Sequence, residues 1–332
     1  MNPDIYFVRA KQILERMDFN PMVKMEVFSR KSGILCGIDE AISFIVGRAP
    51  FARPLRIWAL EERMDFSPKE VVMRIEAPVQ SIIDLETDYL GILASCSAWA
   101  TAARECCDAA GRIPVVSFGA RHIHPDISAR MDVSAIIGGC SACSSVEGAR
   151  LSGKEPIGTM PHALILVLGD TTIAMERFNE FMSPSIPRVA LVDTFKDEVI
   201  ESLDVAIYMK EHGSKLEGVR LDTPSERGGV TPDLVKEVRA HLDMEGFTDV
   251  KITVSGGITP ERIRKFIEEK APIDVFGIGS YISGAKPIDF TADIHEIGTV
   301  DLDSDDIYDV GCFVAKRGRI PGVTYNQRLR LY

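Results

Sequence analysis

The feature that most constrains the fold is a regular alternation of short β-branched runs with helical patterns between residues 113 and 284. Such alternation is typical of a parallel sheet whose strands are joined by helical crossovers. Polar and charged residues collect at the carboxyl ends of the runs, where α/β barrels place their active sites. The sequence therefore predicts an α/β barrel, with a doubly wound open sheet as the alternative. The predicted strands are 115–118, 189–193, 218–222, 250–254 and 274–278.

The segments on either side of this alternation have a different pattern. Upstream, two strand-like runs at 55–60 and 71–75 precede a long alanine-rich helix from about residue 85 to 110, which indicates an α+β domain. After Gly284 the chain becomes irregular and β-rich. We therefore predict an N-terminal domain at 1–112, a catalytic domain at 113–284 and a C-terminal segment at 285–332.

Charge and composition exclude several classes of protein. The 332 residues include 38 Lys and Arg against 49 Asp and Glu, a formal net charge of −11. No basic field exists for nucleic acid or acidic lipid, so an anionic substrate must be held by a few local positive groups. No apolar run is long enough to span a membrane, and seven cysteines do not suggest a disulfide framework. We predict a cytoplasmic protein without nucleic-acid or membrane partners.

Glycines follow or end two successive predicted strands. Ser255, Gly256 and Gly257 follow one strand, and Gly277 and Gly279 belong to the next. Glycine lets backbone N–H groups approach an anion, and the N-terminus of the following helix adds a favourable dipole. Late loops of α/β barrels commonly bind phosphate in this way. The pattern predicts a phosphate site, with two tight turns that bind nothing as the alternative.

Charged residues end two of the other predicted strands. The two-residue period of a strand puts Arg220 and Asp222 on one face, and Asp193 ends an earlier strand. Buried charges are costly unless they meet a ligand or each other. Carboxylates at strand ends suit ribose hydroxyls or Mg²⁺, and a purely structural Arg–Asp pair is the alternative.

An aromatic residue and an arginine follow the first strand of the alternation. Phe118 could stack on a flat ring and Arg121 could hold a carboxylate through paired hydrogen bonds, although a core phenylalanine and a solvated arginine would give the same pattern. His162 precedes a predicted helix, and a lone histidine is more often structural than catalytic. Cys140 and Cys143 form one pair with no second pair, which favours close packing over a zinc site.

In this order, these motifs resemble the nicotinate phosphoribosyltransferase family, which is related to the quinolinate and nicotinamide phosphoribosyltransferases. The resemblance covers nearly the whole chain, and the compact length is similar to that of the archaeal branch. The matching motifs are Asp4-Ile5-Tyr6, Glu86-Thr87-Asp88-Tyr89-Leu90-Gly91, Phe118-Gly119-Ala120-Arg121, Gly158-Thr159-Met160-Pro161-His162, Val192-Asp193-Thr194, Arg220-Leu221-Asp222, Ser255-Gly256-Gly257, Phe290-Thr291-Ala292-Asp293 and Lys316-Arg317-Gly318-Arg319.

The resemblance implies an N-terminal α/β sandwich and an irregular α/β barrel of the type II phosphoribosyltransferase kind, with the C-terminal segment packed on the N-terminal domain. It also implies a homodimer or larger assembly in which one subunit's N-terminal region covers the partner's barrel. Phe118 would stack on the pyridine ring, Tyr6 of the partner would cover the ring's other face, and Arg121 would hold the carboxylate. The ribose 5-phosphate would lie against Ser255, Gly256, Gly257, Gly277 and Gly279.

The remaining roles also follow from the resemblance. Asp222 with Asp193 would serve the ribose hydroxyls and the Mg²⁺–pyrophosphate group, with Arg220 beside them. Further candidates, for pyrophosphate contact from the neighbouring subunit, are Arg30, Lys31 and Lys316. His162 matches the histidine that ATP-coupled members phosphorylate, but the motif alone does not establish ATP as a cofactor. Two departures are Thr223-Pro224, where the family often has Ser-Gly, and a C-terminal tail with only Cys312 in place of a cysteine-rich knuckle.

The expected reaction converts nicotinate and phosphoribosyl pyrophosphate into nicotinate mononucleotide and pyrophosphate. Three alternatives are kept. A quinolinate phosphoribosyltransferase would need further cations for a second carboxylate, which His122 and His124 could supply beside Arg121. A barrel phosphosugar aldolase or isomerase would need a strand base such as Lys251, and a non-catalytic sensor of pyridine nucleotides would need only the phosphate loops.

Overall fold

The computed structural model describes residues 2–49, 54–299 and 309–332. The chain divides into two compact units, one formed by Met1–Thr101 with Lys286–Tyr332 and the other by Ala102–Ala285. The predicted division into an N-terminal domain at 1–112, a catalytic domain at 113–284 and a C-terminal segment at 285–332 stays a prediction. Within the described residues, no helix is both long and apolar enough to cross a membrane.

The first unit is built on a six-stranded sheet in which neighbouring strands are antiparallel. Its order is β13-β12-β1-β5-β3-β14, with β1 (Met22–Ser29), β3 (Arg56–Ala59), β5 (Val71–Pro78), β12 (Phe290–Thr299), β13 (Asp309–Phe313) and β14 (Arg330–Leu331). A short ribbon joins β2 (Gly33–Ile34) to β4 (Asp65–Phe66). The helices are α1 (Ile5–Arg16), α2 (Ile38–Arg48) and α3 (Val79–Ile82), and the long helix α4 (Glu86–Ala110) begins in this unit.

Strand β1 is apolar on one face and carries Lys24 and Glu26 among apolar residues on the other. Val23, Met25 and Val27 alternate on the apolar face and are buried. On the other face, Arg74 donates to Glu26 Oε1 across the sheet at 2.8 Å. Because a buried carboxylate without a partner would destabilise the fold, such cross-strand ion pairs hold the register of this sheet.

The second unit contains six parallel strands in the order β7-β6-β11-β10-β9-β8. They are β6 (Val115–Ser117), β7 (Ala142–Cys143), β8 (Val189–Leu191), β9 (Gly218–Leu221), β10 (Lys251–Val254) and β11 (Val275–Ile278). The helices of this unit are α5 (Pro125–Gly138), α6 (Val146–Leu151), α7 (His162–Leu168), α8 (Thr171–Phe181), α9 (Glu198–Glu211), α10 (Pro232–Met244), α11 (Pro260–Glu268) and α12 (Ser280–Ser283).

The strand order of the second unit distinguishes a barrel from an open sheet. Consecutive strands are neighbours from β6 to β7 and from β8 to β11, and β11, the last strand, pairs with β6, the first. A doubly wound sheet would instead reverse direction at a switch point. Among the described residues, the ring of paired strands is interrupted only between β7 and β8. The prediction of an irregular α/β barrel is therefore confirmed, and the doubly wound alternative is wrong.

Side-chain caps fix where the helices after the barrel strands begin. Thr259 accepts from the backbone N–H of Arg262 at 3.3 Å, and Pro260 occupies the first position of α11. Asp197 caps α9 in the same way through the N–H groups of Val199 and Ile200. These caps satisfy N–H groups that a helix leaves unpaired at its first turn.

Candidate active site

The predicted site residues of the barrel follow five neighbouring strands. Phe118 comes directly after β6, Asp222 after β9, Ser255 after β10 and Gly279 after β11, while Asp193 lies two residues beyond β8. Because neighbouring parallel strands end at the same edge of a sheet, these residues collect along one rim of the barrel. This rim is the candidate active site.

Arg220, Asp222 and Ser255 form a hydrogen-bonded group on the rim. Arg220 donates to Ser255 Oγ at 3.0 Å and to Asp222 Oδ2 at 2.9 Å. The Ser255 hydroxyl donates to Asp222 Oδ1 at 2.9 Å. The predicted Arg–Asp contact therefore exists. Since each carboxylate oxygen has more than one acceptor direction, Asp222 can still accept bonds from a ligand.

Asp193 and His162 form a second polar pair. His162 Nε2 lies 3.0 Å from Asp193 Oδ1, and the Asp193 side chain is fully buried. Burial raises the pKa of Asp193 above that of an ordinary aspartate, although the nearby His162 opposes the shift and the charge of Asp222 adds to it. Asp193 Oδ2 is buried without a hydrogen-bond partner in the described part of the chain. Such an oxygen is suited to a ligand hydroxyl or a cation.

The loop after β10 has the backbone of an anion site. Gly256 and Gly257 have φ values of +86° and +61°, which side chains rarely allow. A Cβ on Gly256 would also lie 3.0 Å from Asp222 Oδ1. The N–H groups of Gly256, Gly257 and Ile258 donate to no acceptor within the described residues. Successive unpaired N–H groups before a helix N-terminus form a nest for an anion.

Gly277 and Gly279 make room for the segment that follows β6. A Cβ on Gly277 would lie 2.4 Å from Cε2 of Phe118, and one on Gly279 would lie 2.8 Å from Cε1 of His122. The guanidinium carbon of Arg220 lies over the Phe118 ring, 5.2 Å from its centroid. A pyridine ring that stacks on Phe118 therefore needs the opposite face or a displacement of Arg220. Phosphate contact by Gly277 and Gly279 stays a prediction.

Arg121 is an exposed cation on the same rim. Nothing in the described ranges accepts a hydrogen bond from its guanidinium or forms an ion pair with it. His122 is also exposed, and its Nδ1 lies 3.4 Å from Ser283 Oγ. His124 instead caps α5, accepting from the N–H of Asp126 at 3.3 Å. Of these three basic residues, Arg121 is the one that carries a permanent charge and has no hydrogen-bond or ion-pair partner among the described residues.

Four predicted contacts to a neighbouring subunit belong to the first unit. The Tyr6 side chain is 59% exposed, and its hydroxyl donates to Asp4 Oδ2 at 2.8 Å. Arg30, Lys31 and Lys316 are exposed as well. Their action on the site of a partner subunit stays a prediction.

The positions of the cysteines and of Lys251 bear on the zinc-site and aldolase alternatives. Cys140 and Cys143 are both buried and free, and burial raises the pKa of Cys143 to about 11, which keeps this thiol protonated. Within residues 2–49, 54–299 and 309–332, no group of three or more His, Cys, Asp and Glu side chains could hold a metal ion. Lys251 begins β10 and thus lies at the end of the strand opposite the rim. The aldolase or isomerase alternative therefore loses Lys251 as its candidate base.

Thr223 and Arg262 form contacts near the rim that were not predicted. Thr223, at one of the departures from the family motif, donates to the buried Glu198 at 2.6 Å and thereby ties the loop after β9 to α9. Arg262 donates to the carbonyls of the glycine loop. A sequence signal for Arg262 did exist, because a basic residue in the first turn of a helix opposes the helix dipole.

Comparison with known proteins gives the family. A profile of the quinolinate phosphoribosyl transferase C-terminal domain matches residues 99–293, and a profile of the N-terminal domain of the same enzyme matches residues 4–97. The chain belongs to the quinolinate phosphoribosyltransferase family. The resemblance inferred from the motifs is thus confirmed at the level of this NAD-biosynthesis family and its type II phosphoribosyltransferase fold. The archaeal branch stays a prediction.

Relatives within the family carry nicotinate in their names. Nicotinate phosphoribosyltransferase pncB2 of Mycobacterium tuberculosis is 30% identical over 235 residues, which cover 69% of this chain and 48% of that protein. The Bacillus subtilis nicotinate phosphoribosyltransferase is 31% identical over 214 residues, covering 64% of this chain and 42% of that protein. The chain thus spans about half the length of the curated relatives it matches. The structure of nicotinate-nucleotide pyrophosphorylase from Pyrococcus furiosus is 38% identical with a TM-score of 0.86, covering 97% of this chain and 78% of that one.

Proposed function

We propose that this protein is a nicotinate phosphoribosyltransferase, which forms nicotinate mononucleotide and pyrophosphate from nicotinate and phosphoribosyl pyrophosphate. The observation that carries the proposal is the arrangement of the rim. A free guanidinium and an aromatic ring follow β6, a glycine nest follows β10, and two carboxylates follow β8 and β9. The names of the relatives support the same substrate.

The β6 side of the rim suits the pyridine acid. Nicotinate has one carboxylate, and Arg121 can bind it through two parallel hydrogen bonds without first breaking an ion pair within its own barrel. Phe118 supplies a flat surface beside it. Arg220 is already bonded to Asp222 and Ser255, so it cannot serve a second carboxylate at no cost. One free cation therefore favours a monocarboxylate.

The β8 to β10 side suits the phosphorylated sugar. The N–H groups of Gly256, Gly257 and Ile258 can bind the 5-phosphate, and Asp222 can accept hydrogen bonds from ribose hydroxyls. Magnesium would arrive with phosphoribosyl pyrophosphate as part of the substrate. The unpartnered oxygen of Asp193 and the free acceptor directions of Asp222 fit such an ion, because Mg²⁺ commonly binds one or two carboxylates together with substrate phosphates.

The proposed chemistry needs positioning more than proton transfer. The ring nitrogen of nicotinate is already a nucleophile, so no protein base has to activate it before it attacks the anomeric carbon. The residues of the rim orient the two substrates, and the carboxylates stabilise positive charge that develops on the ribose as pyrophosphate leaves. The glycine loop and the carboxylates of the rim suit a reaction of this kind.

Quinolinate phosphoribosyltransferase is the second candidate. It is favoured by the family profile and by His122, an exposed side chain directly beside Arg121 that could bind a second carboxylate when protonated. The two candidates differ in their acid substrate, and only the quinolinate reaction releases carbon dioxide. A non-catalytic sensor would not need Asp193, Asp222 and Arg220 on the rim.

The test measures pyrophosphate release by the purified full chain with phosphoribosyl pyrophosphate and nicotinate, quinolinate or nicotinamide in turn. Each of the three compounds is assayed with and without Mg²⁺ and with and without ATP, since His162 matches the histidine that ATP-coupled members phosphorylate. We expect turnover with nicotinate that requires Mg²⁺. Turnover of quinolinate alone would replace the proposed function by the second candidate. Sedimentation of the same sample tests the predicted homodimer or larger assembly.

A further inference from the structure

Arg262, on the first turn of α11, forms hydrogen bonds to the loop after β10, which we call the glycine loop. Its Nη1 donates to the carbonyl oxygens of Gly256 and Gly257, each at 2.8 Å, and its Nη2 donates to the carbonyl oxygen of Val230 at 2.7 Å. None of the roles given above uses this side chain. It joins the loop after β10 to the segment before α10, and both loops lie on the candidate site side of the barrel.

These bonds determine where the N–H groups of the loop point. In a trans peptide, the C=O and the N–H of the same unit point in opposite directions. The C=O of Gly256 shares its peptide with the N–H of Gly257, and the C=O of Gly257 shares its peptide with the N–H of Ile258. Because Arg262 draws both carbonyls toward itself, both N–H groups face away from it. They are two of the three donors that are unpaired within the described residues.

The side chain also contributes charge. Arg262 is half-buried, and no carboxylate lies within ion-pair distance of it among the residues that the structure describes. Burial lowers the pKa of this guanidinium, yet an arginine keeps its charge in proteins. Its positive charge therefore lies behind the nest, bonded to neutral carbonyls only. A neutral side chain could not supply this charge, and a lysine lacks the planar fork of donors through which Arg262 reaches the three carbonyls.

We propose that Arg262 is the positioning residue of the phosphate nest: it orients the N–H groups of Gly257 and Ile258 toward the 5-phosphate without contacting the phosphate. The inference rests on the proposed function for the identity of the ligand as a ribose 5-phosphate group. In this arrangement the N–H groups of the loop face the phosphate, and its carbonyl groups face Arg262.

The experiment measures binding of ribose 5-phosphate to the purified full chain by calorimetry for the wild type, R262Q, R262K and R264Q. Arg264 is a matched control on the same helix, because its side chain is 56% exposed and its nearest ion-pair partner, Glu261, is 3.9 Å away. We expect R262Q to bind about tenfold more weakly, since two charge-assisted N–H bonds lose their fixed geometry. R262K should bind about threefold more weakly, and R264Q within twofold of the wild type.

Kinetics provide a second readout that general damage would not reproduce. Where the wild type turns over, R262Q should raise KM for phosphoribosyl pyrophosphate while KM for nicotinate stays within twofold. The inference is overturned if R262Q or R262K binds ribose 5-phosphate as tightly as the wild type, if both KM values rise equally, or if the wild type does not bind ribose 5-phosphate. Should R262Q not fold by circular dichroism, R262K decides alone. Loss of binding in R262Q with no turnover of any pyridine acid by the wild type would refute the proposed function and leave the inference standing.

Discussion

Replacing Gly277 with alanine tests whether the absence of a side chain at this position sets the place of Phe118. The added Cβ would lie 2.4, 2.6 and 3.3 Å from Cε2, Cδ2 and Cζ of the ring. Carbon atoms in favourable contact are about 3.5–4.0 Å apart, so the ring must move by about 1 Å or more. The φ of Gly277 lies outside the left-handed region, and the effect should therefore come from crowding alone.

The magnitude follows from the kind of contact. Overpacking a well-filled site costs about 1–3 kcal/mol. Phe118 is half-buried and can move partly toward solvent, so we expect G277A to lower the free energy of unfolding by about 1–2 kcal/mol. Displacing the ring would also weaken its stacking on nicotinate, a contact worth about 0.5–1.5 kcal/mol, which corresponds to a rise in KM for nicotinate of roughly 2- to 13-fold.

A double-mutant cycle separates the clash from other effects. Urea unfolding of the wild type, G277A, F118A and the double variant gives the coupling free energy between the two positions. Removing the ring should remove most of the cost of G277A, so that G277A costs less than about 0.5 kcal/mol in the F118A background. G91A is the control, because a Cβ at this position in α4 meets nothing within 4 Å and alanine favours the helix by about 1 kcal/mol. Additive effects of G277A and F118A would refute the reasoning.

Three further predictions use other residues. R121Q should raise KM for nicotinate by about 10- to 100-fold through loss of a charge-assisted pair. The melting temperature of R121Q should equal that of the wild type, because the side chain is exposed and unpaired among the described residues. A shift in melting temperature without a change in KM would contradict the assigned role of Arg121. Because burial raises the pKa of Asp193, kcat/KM should fall on acidification at a higher pH than for an ordinary aspartate, and a D193N variant with the wild-type pH profile would count against the assignment. Burial and the charge of Asp293 raise the pKa of Glu86 from 4.5 to about 7. A carboxyl group whose pKa is raised in the folded state contributes stability at low pH, and this contribution is lost as the pH rises through 7. The free energy of unfolding of E86Q, relative to that of the wild type, should therefore be about 2 kcal/mol higher at pH 8 than at pH 4.5 in urea unfolding, which is less than the full linkage value because Glu86 is partly exposed. An equal difference at both pH values would disprove the shift.

The sequence predicts most of the barrel because its strands and helices are encoded locally. The long helix predicted from about residue 85 to 110 is observed as Glu86–Ala110, and all five predicted strands appear with ends shifted by at most two residues. Strand β7 was not predicted. It has two residues, Ala142 and Cys143, and it pairs with β6 alone. Two residues are too few to show the period of a strand, so only the pairing with β6 defines it.

The site was predictable where one short segment contains the whole signal. The glycine loop and the Arg220–Asp222 contact are of this kind, since strand period and positive-φ glycines can be read from adjacent residues. The relation of Gly277 to Phe118 could not be read this way, because the two residues are distant in sequence and meet only when β6 pairs with β11. Arg262 lies between these cases. Its position opposes the helix dipole, which was a local signal, but the carbonyls that it binds became known only with the structure.

The charge balance of the rim indicates what must arrive with the substrate. Arg220 is paired with Asp222, Arg262 is bonded to three carbonyls, and Arg121 is assigned to the pyridine carboxylate. The nest can bind one phosphate, but the rim adds two carboxylates, Asp193 and Asp222, where the pyrophosphate would lie. Each cation named here therefore already has a partner or an assigned ligand before the pyrophosphate binds. We infer that its charge must be neutralised by Mg²⁺ bound to the substrate, by basic residues of another subunit such as those predicted at Arg30, Lys31 and Lys316, or by both. Activity that persists in the presence of a chelator and in an R30Q/K31Q/K316Q variant would contradict this account of the charges.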